Sequence, residues 1–386
     1  MVPLSADDAG RRAADADAMN ELALQQQRTV DRIALIGSAI AILTAAALVA
    51  LDPVQTVSRH PSAAARQPAP IAAPLAVTSE RSPLVQLSLP SPAWTIVSDG
   101  TWAAYARLEK GQPAEIVVRS LHSDESRVVY RAAASSYLGQ LSLAKGVLVL
   151  EEIAQPSADG SGRTVLVRTV SIASGEQTTV DTFAPTSSLA SSPLTDGSRV
   201  LWVRPASGAG DEIREFDLAT GKTRVVQRPG TQVAGLALSG NVLAYTAFAR
   251  DAATSYVVDL GASAAAKPVD GFAYSYVQSV APEGVVVTGA LEAGAPAASW
   301  FVKNDGTRSR LGLECFSVTM TARLLAMRCA TQIEIRDLAT GSSLYRFAGS
   351  AGALAVFENG VAWGEGDELV LYELPPLADA SHARPE

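Results

Sequence analysis

Gln332-Ile333-Glu334-Ile335-Arg336-Asp337-Leu338-Ala339-Thr340-Gly341 alternates apolar and polar side chains and then runs into a tight turn. Alternation at period two marks a strand with one face in a core. A Gly closing a short polar stretch supplies the positive φ that a chain reversal needs. The same Asp-Leu-Ala-Thr-Gly turn stands at Asp217–Gly221, again behind an alternating strand. A strand and turn that recur together point to a repeat, which has to be sought before any other feature because it sets the fold.

Working outward from these two copies, a tight turn followed by a short apolar strand returns at Gly100, Gly146, Gly197, Gly240, Gly284, Thr321 and Gly360. Six intervals over these 260 residues give a mean period of about 43. A second turn follows each of the first six, near Asp124 and at Gly175, Gly221, Gly261, Gly306 and Gly341. Two hairpins per repeat means four strands per repeat, which is the size and content of a β-propeller blade. The seventh repeat has only one further strand, Glu368–Leu374, before Pro375 and Pro376 stop it, and Leu84–Leu89 is a spare segment of strand length ahead of the first. Borrowing that segment closes the ring and removes a free edge. The expected fold is therefore an all-β, seven-bladed propeller over residues 84–374, with six or eight blades as the neighbouring counts. A composition of 29 Gly and 21 Pro with 6% aromatic residues agrees, since such chains reverse often.

On the Asp217–Gly221 and Asp337–Gly341 turns and the Asp/Asn-Gly turns, the body resembles bacterial β-propellers of the TolB-like and WD-repeat-like superfamily, over about 290 of 386 residues. The resemblance implies an architecture and no single activity. The Gly-His and Trp-Asp pairs of true WD repeats are absent from every blade.

Ahead of the body, Ile33–Leu51 is a run of 19 residues without a charge. As a helix it spans about 28 Å, close to the hydrocarbon thickness of a bilayer. A cleaved signal peptide, with Ala45 and Ala47 at the cleavage site, is the competing reading, but residues 1–32 are longer and more acidic than the short basic start of such signals. Arg28 and Arg32 before the run and Asp52 after it place the N-terminus inside. Residues 52–83, rich in Pro and Ala, read as an extended linker, and 375–386 as a disordered tail. The chain is thus expected to be single-pass in the cell membrane, with a short cytoplasmic tail, a transmembrane helix, a stalk and an extracytoplasmic propeller.

Chemistry is harder to find. His60, His122 and His382 are scattered, so no convergent imidazoles are available for a metal or a catalytic triad. Nucleophile-elbow, phosphate-loop and C-x-x-C motifs are absent, and no cofactor, metal or catalytic residue is assigned. Glu151 with Glu152, and Asp211 with Glu212, are adjacent on strands and face opposite sides, which suits solvated loop ends better than paired acid–base work. Ser98-Asp-Gly-Thr-Trp102 reads as a turn, and Tyr105, Trp202, Tyr245 and Trp363 share one second-strand position, as blade packing requires. Cys315 and Cys329 are placed symmetrically about Ala322 in a hairpin, which brings opposed residues to about 4.5–5.5 Å at Cα, within disulfide reach. Two buried free thiols are the alternative.

The body carries 23 Lys and Arg against 29 Asp and Glu, and the chain a net charge of −8, which excludes a nucleic-acid partner. Two functional classes remain: an interaction or scaffold module that binds an envelope protein or a surface polymer through its loops, and a propeller enzyme of glycan hydrolase or lyase type with a site at the channel mouth. The missing motifs favour the first. The topology is open to a direct check: protease added to intact spheroplasts is expected to remove the body and spare about the first thirty residues, whereas a protected body reverses the orientation.

Overall fold

Each repeated turn closes an antiparallel hairpin, and the reason is local hydrogen bonding. Asp217 Oδ1 accepts the Thr220 N–H at 2.7 Å, and the Gly221 N–H donates to the Asp217 carbonyl at 2.9 Å. Gly221 has φ +66°, and Gly341 in the second copy +72°, a region that an L side chain rarely enters. Asp337 accepts the Thr340 N–H in the same way, at 2.7 Å. The Leu218 and Leu338 N–H groups then donate to the carbonyls of Ser198 and Arg323, fastening the second turn of each blade to the first.

The computed structural model describes residues 85–88 and 95–374, apart from 110–111, 156–161, 185–192, 207–209, 250–251, 263–264, 313–314, 330–331, 349–353, 358–359 and 366–367. The expected cytoplasmic tail, membrane segment, linker and C-terminal tail lie outside the described residues. Those described form seven four-stranded sheets. After β1 (Val85–Ser88), blade 1 holds β2 (Ile96–Ser98), β3 (Trp102–Glu109), β4 (Gln112–Ser120) and β5 (Ser126–Arg131). Blade 2 holds β6 (Ser136–Ala144), β7 (Val147–Ala154), β8 (Thr164–Ser171) and β9 (Gln177–Phe183). Blade 3 holds β10 (Leu194–Thr195), β11 (Arg199–Pro205), β12 (Asp211–Asp217) and β13 (Thr223–Gln227). Blade 4 holds β14 (Gln232–Ser239), β15 (Val242–Ala249), β16 (Ala252–Asp259) and β17 (Lys267–Pro268). Blade 5 holds β18 (Tyr274–Ala281), β19 (Gly284–Ala290), β20 (Ala298–Lys303) and β21 (Arg308–Gly312). Blade 6 holds β22 (Cys315–Met320), β23 (Leu324–Cys329), β24 (Gln332–Asp337) and β25 (Ser343–Ala348), and blade 7 β26 (Leu354–Phe357), β27 (Gly360–Glu365) and β28 (Glu368–Glu373).

The fourth strand of blade 7 is β1, which pairs antiparallel with β28, Val85 opposite Leu371 and Ser88 opposite Glu368. The first and last strands of the domain therefore share one sheet, as the spare segment ahead of the first repeat suggested, with bounds one residue tighter at each end.

Both faces of each sheet are buried by its neighbours. Ala104, Ile116 and Tyr130 of blade 1 pack against Leu138, Leu148 and Leu150 of blade 2, and Ile96 and Tyr105 meet Ala355, Phe357 and Leu369 across the closing seam. Tyr105, Trp202, Tyr245 and Trp363 are all buried at the fourth position of their second strands. Polar links cross five successive seams: Gly146 N–H to Asp99 Oδ2 (2.7 Å), Thr195 N–H to Ser142 Oγ (3.1 Å), Val233 N–H to Asp211 Oδ2 (2.8 Å), Val277 N–H to Thr246 Oγ1 (2.8 Å) and Met320 N–H to Ser279 Oγ (3.0 Å). Between blades 6 and 7 the seam is aromatic, with Phe347 4.3 Å from Tyr372 and 5.4 Å from Trp363.

In blade 6, Cys315 stands opposite Cys329, and their sulfurs are bonded. The turn is centred half a residue beyond Ala322, since Met320 pairs with Leu325; a bulge between Cys315 and Val318 shifts the register and brings the two cysteines level. Simple symmetry about Ala322 thus reaches the pair without the irregularity that creates it.

Deleting Val85–Ser88 removes a four-residue ladder and uncovers the edge of β28. At about 0.5–1.5 kcal/mol per hydrogen bond, urea melts should show a loss on the order of 2–6 kcal/mol. An unchanged midpoint would mean that β1 does not seal the ring.

Candidate functional site

The two rims of the ring differ because of how the strands connect. Turns between first and second strands and between third and fourth strands share one face, the hairpin face. Connections between second and third strands, and from blade to blade, share the other, the loop face. Several acids on the hairpin face serve their own turns: Asp99 accepts the Thr101 and Trp102 N–H groups at 2.9 Å, Asp196 those of Ser198 and Arg199 at 2.8 and 3.1 Å, and Asp305 that of Thr307 at 2.8 Å. Ser98-Asp-Gly-Thr-Trp102 is such a turn.

Glu215, at the hairpin end of blade 3, pairs with Arg224 at 3.0 Å and Arg199 at 3.7 Å, and the loop-facing half of the blades carries three further Arg–Glu clusters. In blade 1, Glu115 on β4 is gripped by Arg107 on β3 and Arg131 on β5. In blade 6, Glu334 on β24 binds Arg336 at 3.1 Å and Arg346 at 3.4 Å. In blade 3, Glu212 on β12 binds Arg214 at 2.8 Å and Arg228 at 2.9 Å. Each cluster ties the third strand to a neighbouring strand or to the residue just past the fourth. Arg214 and Arg228 hold the Glu212 carboxyl below the usual carboxylate range, so it stays charged. A fourth acid, Asp181 at the outer edge of blade 2, takes Arg204 at 2.9 Å and the Trp202 indole N–H at 2.9 Å.

Glu151, Glu152, Asp211 and Glu212, which read as solvated loop ends, are all buried, at 3–7% exposure. They do face opposite sides, and each side has its own solution. Burial would raise Glu152, but hydrogen bonds from the Tyr130 hydroxyl, the Ala133 N–H and Ser136, with the Arg168 charge, hold it below its ordinary value. Asp211 accepts the Val233 N–H of the next blade, and burial still raises its carboxyl. Glu151 has no cationic partner among the described residues. Burial pushes its carboxyl up to about 7, opposed only by the backbone N–H of Gln140. Gln140 lies in the bulge that interrupts pairing between Leu138 and Leu141 on the innermost strand, and a Cβ on Gly139 in the same bulge would run into the Glu151 carboxylate.

One sign of these clusters was in the sequence. Glu212-Ile-Arg214 and Glu334-Ile-Arg336 place acid and guanidinium two residues apart on one strand, hence on one face. The partners on other strands, such as Arg131 and Arg346, depend on register and carry no such sign.

A second feature of the loop face is aromatic. Phe248, near the end of β15, lies 5.5 Å from Tyr276 on β18, which lies 6.3 Å from Tyr274. Tyr276 is 39% exposed, and so is Leu291 at 42%, one residue past the Ala290 that pairs with Tyr274. These are the exposed large apolar side chains among the described residues. Innermost strands add amides, with Gln140 and Gln278 exposed in bulges of β6 and β18. His122 sits in an exposed turn on the hairpin face, while His60 and His382 lie outside the described residues. Among the described residues no three His, Cys, Asp or Glu side chains gather as a metal site.

No family model matches the chain, and no curated protein sequence matches it either. Solved structures do. A chain in the crystal structure of the mitotic checkpoint complex aligns with a TM-score of 0.55 at 14% identity, over 82% of this chain and 99% of that one. The β-propeller domain of the Trilobed protease from Pyrococcus furiosus aligns at 0.52 with 9% identity, over 71% and 91%. TolB from Acinetobacter baumannii gives 0.47 with 12% identity, over 70% of this chain and 66% of its own. What is shared is the fold. The Pyrococcus domain has an open velcro topology, whereas here β1 seals the seventh blade.

Glu151 offers a measurable consequence. Its folded-state value, about 7, lies above the ordinary 4.5, so the folded protein holds a proton that the unfolded chain has released between those values. Its contribution to stability is thus present below about pH 4.5 and lost as pH rises through 7. Glu151→Gln should lose less stability than the wild type between pH 5 and pH 8, by on the order of 2–3 kcal/mol in urea melts. Equal losses would mean that Glu151 titrates normally.

Proposed function

We propose that the chain is a membrane-anchored, extracytoplasmic propeller that binds an envelope protein or a surface polymer through its loop face and performs no chemistry of its own. The supporting observation is the division of labour between the rims. On the hairpin face several acids cap their own tight turns and Glu215 pairs with Arg199 and Arg224, while the loop face carries the Glu115, Glu212 and Glu334 clusters, the Phe248–Tyr276 aromatic patch and connections of unequal length. A repeat fold keeps its strands and varies insertions on the face that recognises something. Two of the longer connections, 155–163 between β7 and β8 and 206–210 between β11 and β12, open on that face. The second is bounded by β11, which runs to Pro205, and β12, which begins at Asp211. The paired cysteines of blade 6 suit an oxidising compartment.

One observation favours the enzyme reading, a glycan hydrolase or lyase. A carboxyl near neutrality is suited to act as a general acid, and Glu151 is such a group. Its sequence neighbour Glu152 points to the other side of the strand and is held by Tyr130 and Arg168, so it does not complete a pair. Crosslinking in intact cells is the test. Shortening both loops should abolish a captured species that the wild-type chain retains. Capture that survives shortening, or turnover of a glycan panel by the purified protein, would overturn the binding-module reading.

A further inference from the structure

The seam between blades 2 and 3 opens at the loop face into a cleft of about 370 Å³. One wall is Phe183 and Ala184 at the end of β9, another Pro205 and Ala206 at the end of β11, with Arg204, Glu212 and Arg214 between them. Trp202 and Arg204 on β11 and Glu212 and Arg214 on β12 share the side of blade 3 that faces blade 2, since Trp202 pairs with Arg214 and Arg204 with Glu212. The Arg204 guanidinium lies 5.8 Å from the centre of the Phe183 ring.

Charge at this place does not cancel. Arg204, Arg214 and Arg228 stand against Asp181 and Glu212, three cations to two anions, in a chain whose net charge is −8. The adjoining stretches 185–192 and 207–209 contain no charged residue to make up the difference. Donors are also left over. Arg204 spends only Nη1 on Asp181, at 2.9 and 3.1 Å, and among the described residues its Nε and Nη2 bond to nothing. Among the described residues Arg214 commits Nε and Nη2 to Glu212, leaving Nη1, and Arg228, 71% exposed, commits Nε alone. Unspent guanidinium edges beside a local cationic excess are what a carboxylate requires.

The rest of the lining narrows the ligand. Phe183, Ala184, Pro205 and Ala206 make the rest of the lining apolar. An aspartate or glutamate side chain has the matching form, an apolar stem and a terminal carboxylate. We infer that this cleft receives an acidic side chain presented by a segment of a partner protein. The inference rests on the loop-face binding reading and names the chemistry of its partner.

Fluorescence anisotropy with the full chain and a labelled short oligoglutamate reads this out, with an oligogalacturonate of equal charge as the competing probe. Oligoglutamate should bind, and Arg204→Ala and Arg228→Glu should each weaken it by about fivefold or more. Arg204 also partners Asp181 and Arg228 also partners Glu212, so thermal melts accompany both variants and binding is compared only where the melt is unchanged. No binding of oligoglutamate, or binding that both variants leave unchanged, overturns the assignment. Tighter binding of oligogalacturonate that is lost in the same variants replaces the acidic peptide with an acidic glycan and also overturns it. If loop shortening abolishes cellular capture while Arg228→Glu does not, the cleft assignment falls and the loop-face reading stands.

Discussion

A sheet in this ring has no solvent-facing side to spare: each of its faces is covered by one neighbour, so a blade without two neighbours would expose a row of Val, Leu and Ala to water. Closure is therefore the constraint that everything else depends on, and it is met by the four residue pairs between β1 and β28. With the ends held in one sheet, Ile96 and Tyr105 of blade 1 are packed by Phe357 and Leu369 of blade 7 as fully as any interior seam. The seams add direction to this packing. A backbone N–H of one blade reaches a side-chain oxygen of the preceding blade in five successive cases, which fixes how adjacent sheets slide against each other as apolar contact alone cannot.

Carboxylates inside such a body need a reason to be ionised. For Glu212 and Glu334 the reason is a pair of guanidinium groups apiece, and Glu115 is gripped by the same kind of pair. Their net worth is modest, since desolvation offsets much of the attraction. Losing one partner is another matter, because the remaining charge is left buried and unpaired. Glu151 shows what happens when no cation is supplied: the proton stays until about pH 7.

How much of this was legible in the chain follows from how local each feature is. The Asp-Leu-Ala-Thr-Gly turns are decided by contacts within five residues, so two copies and their Gly-containing relatives sufficed to count seven blades and to find the strand that seals the ring. The shared aromatic position at Tyr105, Trp202, Tyr245 and Trp363 was equally plain, being fixed relative to its own turn. Burial of Glu151 and Asp211 was not, because it depends on which blade lies alongside. The bulge that levels Cys315 with Cys329 has no sequence mark, and the aromatic patch joins Phe248 to Tyr276 from a different blade.

The direction of β1 carries a mechanical consequence. It runs against β28, so Val85 lies toward the hairpin face and Ser88 toward the loop face. Tension applied through the chain ahead of Val85, directed along the strand, loads all four residue pairs at once in shear instead of peeling them one by one. A clasp pulled in that sense yields only when the whole ladder gives way together, and the loop face stays on the side away from the pull.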